Sequence, residues 1–88
     1  MTYTVIVRRD DQGRYLVSVP ALKGCHTWGS TLPEALSMAQ EAIGGYLTVL
    51  QEDGDSPPPD TPNVNVDMAE TAEAFVYRLE VREAAAVV

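Results

Sequence analysis

The sequence predicts an α+β fold: a three-stranded antiparallel sheet, one long helix laid across it, and a fourth strand parallel to the first. Three observations carry this. Residues 3–8 and 15–19 each alternate apolar and polar side chains about a short Gly-containing turn. Residues 32–50 then repeat apolar side chains at steps of three and four, the spacing of one helical stripe. Residues 75–82 alternate again, after a proline-rich stretch.

The first strand sets Tyr3, Val5 and Val7 against Thr4, Ile6 and Arg8, and the second sets Tyr15, Val17 and Val19 on one face. Between them, Arg9 to Arg14 forms the hairpin turn, which places Asp10 and Asp11 in a solvated loop. A short third strand, Cys25 to Trp28, lies between Gly24 and Gly29. Alternation puts Cys25 and Thr27 on one face and His26 and Trp28 on the other. With Cys25 inward, His26 and Trp28 point away from the helix.

The helix start is marked by Thr31 followed three residues later by Glu34, a capping box in which each side chain takes the other's backbone N–H. Pro33 fits the first turn, where its missing donor has no intrahelical partner anyway. The apolar stripe runs Leu32, Ala35, Leu36, Ala39, Ala42, Ile43, Tyr46, Leu47 and Leu50. Gly44 and Gly45 oppose it, each costing a helix interior about 1 kcal/mol relative to Ala, so they mark either close packing on the sheet or a kink.

Past the helix, residues 53–66 form a linker, with Gly54 in the left-handed cap and the prolines from 57 to 62 favouring an extended path. The segment 67–74 is ambiguous. The last strand alternates Phe75, Tyr77, Leu79 and Val81 inward with Val76, Arg78, Glu80 and Arg82 outward, and Ala84 to Val88 is a small apolar tail. Counting directions, with the helix returning to the end where the first strand begins, makes the last strand parallel to the first by a right-handed crossover.

At 88 residues the chain is one domain that buries only about two-thirds of its unfolded surface, so self-association would help it. No apolar run approaches the ~20 residues needed to cross a bilayer, and no signal peptide opens the chain, so a cytoplasmic location with no membrane contact is expected. Thirteen acids against six Lys and Arg give a net charge of −7, which speaks against general nucleic-acid binding and for a basic protein partner. Cys25 is the sole cysteine and His26 the sole histidine. As strand neighbours they face opposite ways, which suits neither thiolate catalysis nor a zinc site, so no metal or other cofactor is expected.

The residues Tyr15-Leu16-Val17-Ser18-Val19-Pro20, Leu22, Gly24-Cys25-His26-Thr27, Gly29, Thr31, Glu34-Ala35-Leu36, Glu41-Ala42-Ile43, Tyr46-Leu47 and Glu52-Asp53-Gly54 closely resemble the HicB-type antitoxin family of bacterial toxin–antitoxin pairs. The chain departs from that pattern at Ala21, Lys23, Ser30 and the glycine pair. The resemblance implies a truncated ribonuclease-H-like layout. It also implies an antitoxin of a type II pair that binds and blocks a small basic HicA-like toxin, an enzyme that cuts messenger RNA. Family members commonly carry a C-terminal operator-binding module, but here the residues after the linker are consumed by the last strand, so no direct DNA binding is expected.

Two other readings stand beside it. One is a solitary oligomeric adaptor or small-molecule-binding domain without a toxin. The other is a metal-dependent nuclease using Asp10, Asp11, Glu34 and Glu41, which a turn and a helix cap already account for. The chain is therefore expected not to be an enzyme. His26 and Trp28, ringed by acidic residues, are the candidate partner interface. Val76, Arg78, Glu80 and Arg82 on the last strand are the candidate edge for a dimer or tetramer.

Overall fold

Hydrophobic alternation and helical periodicity resolve, in the computed structural model, into β1 (Thr2–Arg9), β2 (Tyr15–Ser18), β3 (His26–Gly29), α1 (Leu32–Glu52) and β4 (Ala74–Glu80). The structure describes residues 1–63 and 74–81. Residues 64–73, which hold the end of the expected linker and most of the ambiguous 67–74 segment, lie outside the described residues, as do Arg82 and the tail Ala84–Val88.

The four strands form one sheet in the order β3-β2-β1-β4. On the helix side, Val7 pairs with Val17 and Phe75, Val5 with Tyr77, and Tyr3 with Leu79. Ala35, Ala39, Ile43 and Leu47 of α1 are buried against this face. The expected stripe is therefore the packed one, its remaining members lying half-buried along its flanks.

The fourth strand is a correction. β4 runs antiparallel to β1, with Thr2 opposite Glu80 and Arg8 opposite Ala74, so every pairing in the sheet is antiparallel. The parallel strand expected from counting directions is not there, and the antiparallel sheet does not confirm the ribonuclease-H-like layout that the resemblance implied. The physical reason lies in the linker. The Tyr3 hydroxyl donates to the Pro58 carbonyl at 2.6 Å, so the chain after α1 does return to the start of β1. Ala74 nevertheless stands opposite Arg8, at the far end of that strand. A connection covering residues 53–73 is long enough to reach either end of the sheet, so the crossover rule for short connections does not bind it.

The ends of α1 follow local chemistry. The Thr31 hydroxyl accepts the Glu34 N–H at 3.2 Å, but the reciprocal Glu34 carboxylate bond of the capping box does not form. At the other end Gly54 adopts φ +78, its N–H donating to the Gln51 carbonyl while the Asp55 N–H reaches Leu50, the paired bonds of a Schellman cap. Gly44 and Gly45 neither break the helix nor pack closely: α1 is continuous through them, and a Cβ at either position would meet nothing within 4 Å. Gly29 is the glycine that packing demands. A Cβ there would stand 2.4 Å from the Ala35 backbone nitrogen, where the first turn of α1 crosses β3.

Candidate functional site

The register places the outward residues in rows. One row runs Trp28, Leu16, Arg8, Ala74 across β3, β2, β1 and β4, and the next runs His26, Ser18, Ile6, Val76. Trp28 and His26 thus share the face away from α1, as alternation predicts, and both are exposed, Trp28 by 51%. Arg8, Leu16, Ser18, His26 and Trp28 line a shallow concavity of about 340 Å³ on this face.

Trp28 is held by a relay from the hairpin turn. Asp10 Oδ1 accepts the N–H groups of Gln12 and Arg14, and Asp10 Oδ2 accepts Arg14 Nε at 2.7 Å. The Arg14 guanidinium so fixed lies 5.7 Å from the centroid of the Trp28 ring, a cation–π contact. Burial works to raise the Asp10 carboxyl, but the hydrogen bonds from Arg14 and Gln12 outweigh it and hold it below the ordinary carboxylate value. Asp10 is therefore an anchor of the turn.

The surroundings of Trp28 differ from the acidic ring expected. Arg8 lies in the first row, Arg14 at Trp28 is paired with Asp10, and Arg78 on β4 stands beside Asp60, so cations and carboxylates are mixed on this face, while Glu80 lies at the far end of β4, where the N-terminal ammonium and the Thr2 hydroxyl bind it. A larger group of acids with no cation on the same element lies on the exposed side of α1 and just beyond it, at Glu34, Glu41, Glu52, Asp53 and Asp55. Strand directions settle this: alternation sends Arg8 and Arg78 to the same face as Trp28, while α1 contains no Lys or Arg.

At the opposite edge, Val76 is 52% exposed and Arg78 and Glu80 are exposed with it. Arg82, the last member of the expected oligomer edge, lies outside the described residues. The carboxylates weighed for nuclease chemistry are dispersed: Asp10 and Asp11 in the hairpin turn, Glu34 in the first turn of α1 and Glu41 on its exposed side. Among the described residues no three His, Cys, Asp or Glu side chains are grouped to hold a metal. Cys25 is buried, and that burial pushes its thiol up and away from the reactive thiolate.

One feature of this face gives no sequence signal. Thr4, only 2% exposed, points outward from β1, and Asp60 in the linker binds both its N–H at 2.8 Å and its hydroxyl at 2.7 Å. Arg78 Nη1 stands 3.9 Å from the same carboxylate. Tyr3 faces the helix and Thr4 the other side, so the strap from Pro58 to Asp60 wraps the sheet from one face to the other. Arg14 is likewise invisible beforehand, because its reach to Trp28 depends on the β2–β3 register.

Among the described residues the chain is thus one antiparallel sheet with one covering helix and an exposed tryptophan on the uncovered face. Residues 3–83 match the family described as HicB-like antitoxin of bacterial toxin–antitoxin system, and the chain belongs to that family. A UPF0150 protein of Thermoplasma acidophilum is 47% identical over 60 residues, covering 68% of this chain and 87% of its own. A UPF0150 protein of Archaeoglobus fulgidus is 40% identical over 57 residues, covering 62% and 83%. Among solved structures, the N-terminal domain of Burkholderia pseudomallei antitoxin HicB superposes with a TM-score of 0.69 at 28% identity, covering 93% of this chain and 99% of that domain. A toxin–antitoxin complex from Streptococcus pneumoniae shares the fold, with a TM-score of 0.76 at 22% identity and 93% and 69% coverage.

Proposed function

We propose that this protein is the antitoxin of a type II pair and works by binding and blocking a small HicA-like toxin that cleaves messenger RNA. Family membership supports the antitoxin role, and similar folds occur in toxin–antitoxin complexes. The observation that carries the reading to this chain is Trp28, exposed on the sheet face opposite the helix and oriented there by Arg14. A large aromatic, pre-oriented at little further entropic cost, is the residue type most enriched among binding hot spots. Trp28 and His26 form the partner surface in this reading.

The second part of the proposal is self-association through β4. Among the described residues it is an edge strand, so one side of its backbone has no neighbour in the sheet, and Val76, Arg78 and Glu80 lie along it; Arg82 completes the proposed edge but lies outside the described residues. Light scattering at tens of micromolar is expected to give a dimer or larger, and a monomer mass overturns this part.

The antitoxin reading is tested by co-expression with the product of a short basic reading frame beside the gene. Growth arrest and messenger decay should appear with that product alone and disappear when this chain is added. Persistence of both leaves the solitary oligomeric adaptor as the reading of the fold.

A further inference from the structure

The exposed side of α1 has a second organised surface. Met38, Ala42, Gly45 and Val49 follow one another at spacings of four, three and four, which places them in one line along the helix. Met38 is 40% exposed and Val49 is 56% exposed, with Ala42 half-buried between them at the flank of the core stripe, so among the described residues both ends of this line are apolar and exposed. At its centre Gly45 is a notch, with open space where a side chain would stand. The loop from Gly24 to His26 forms the opposite wall, tied to the helix by the Tyr46 hydroxyl donating to the Lys23 carbonyl at 3.1 Å. Between this loop and Ala42, Gly45 and Val49 lies an open groove of about 490 Å³, lined also by Cys25, Tyr46 and Leu50; Met38 stands one helical turn before Ala42, outside its lining.

We propose that this groove is a docking seam for a cationic amphipathic α-helix of a partner protein, its apolar face on Met38, Ala42, Gly45 and Val49 and its cations against the Glu row of α1. Small residues at a helix crossing let two backbones approach to the 8–10 Å of packed helices, and Ala42 and Gly45 supply them between two larger apolar side chains. Charge selects the occupant. Glu34, Glu41 and Glu52 line one flank of the seam, and α1 carries no Lys or Arg. The wall opposite holds Lys23 and His26, away from that acidic flank. A second copy laid helix on helix would bring two rows of carboxylates together, whereas a helix bearing Lys or Arg would neutralise one. Gly45 gains a purpose here that the sheet does not give it: the helix gives up stability where a visitor needs room.

This deepens the antitoxin reading by placing part of the toxin on α1, but it is testable without the toxin. The probe is a synthetic Leu/Lys amphipathic helical peptide, compared with a twin carrying Glu for Lys, titrated into the full chain under amide NMR. Shifts are expected at Ala42, Gly45, Tyr46 and Val49 with the Lys peptide and not with its twin. A Cβ at position 45 meets nothing within 4 Å, so Gly45→Leu should fold, as circular dichroism checks, fill the notch and weaken the Lys peptide at least about tenfold. Glu41→Lys with Glu52→Lys should also weaken it and flatten its salt dependence.

Shifts centred on Trp28, equal binding of both peptides, or an unchanged affinity for Gly45→Leu overturns the seam. A fall in the chain's own oligomer mass on Gly45→Leu also overturns it, by assigning the groove to a second copy. Toxin neutralised equally well by Gly45→Leu removes the seam and leaves the antitoxin reading standing. Peptide binding at the seam without any neutralisation does the reverse.

Discussion

The Arg14 guanidinium stands 5.7 Å from the Trp28 ring centroid, and Asp10 fixes it there through a 2.7 Å bond to Nε. The hairpin turn and the third strand are thereby joined across β2 by one side chain. Trp28 is the sole tryptophan, so its fluorescence reports on this contact alone. Arg14→Ala should shift the emission and lower stability by about 0.5–1 kcal/mol, the range of an exposed cation–π pair. Identical spectra for the two proteins would show that the contact does not persist in solution.

The two kinds of glycine should respond with opposite signs. Gly29→Ala forces a Cβ to within 2.4 Å of the Ala35 nitrogen, a backbone atom that cannot step aside, so a loss of about 1–3 kcal/mol is expected. Gly44→Ala meets open space in a helix interior and should gain about 1 kcal/mol. Urea midpoints moving in the same direction for both variants would contradict this packing of α1 on β3.

Thr31→Ala removes the one side-chain acceptor at the helix start and should cost about 1 kcal/mol. Glu34 makes no return bond to Thr31, so Glu34→Gln should cost less than Thr31→Ala. A thermal melt in which the Glu34 variant is the less stable would restore the reciprocal box.

Asp60 ties the linker to the sheet. Burial works to raise its carboxyl, but bonds from the Thr4 N–H and hydroxyl and the Thr61 N–H, with the Arg78 charge, hold it below the ordinary carboxylate value. A carboxyl depressed in the folded state stabilises above the unfolded value, and that stability drains away as pH falls below about 4 through the folded value. Asp60→Asn should therefore flatten stability against pH in that acidic window. Asp60→Ala, which leaves the buried Thr4 groups unpaired, should cost about 1–3 kcal/mol at neutral pH. Chemical denaturation from pH 2 to 7 checks both, and parallel curves for parent and Asp60→Asn would contradict the assignment.

The sequence made the strands, the helix and the buried stripe readable because each is a local periodicity: Tyr3, Val5 and Val7 in twos, Ala35, Ala39, Ile43 and Leu47 in threes and fours. It also set Trp28 and His26 on the outward face, by counting from Cys25. The direction of β4 was not readable, since it depends on where Pro58 and Asp60 anchor a long linker, and those bonds join residues more than fifty positions apart. The charge pattern around Trp28 failed for a related reason. Net charge is a sum, whereas the placing of Arg14 against Trp28, of Arg8 in the same row and of Arg78 beside Asp60 follows from the register.

The central claim is that the Trp28 face receives the toxin, and the most direct measurement is the calorimetric affinity of the full chain and its Trp28→Ala variant for that toxin. The account predicts that Trp28→Ala keeps its circular dichroism and loses about 2 kcal/mol of binding, roughly thirtyfold in Kd. A folded Trp28→Ala variant that binds and neutralises the toxin as the parent does would contradict it.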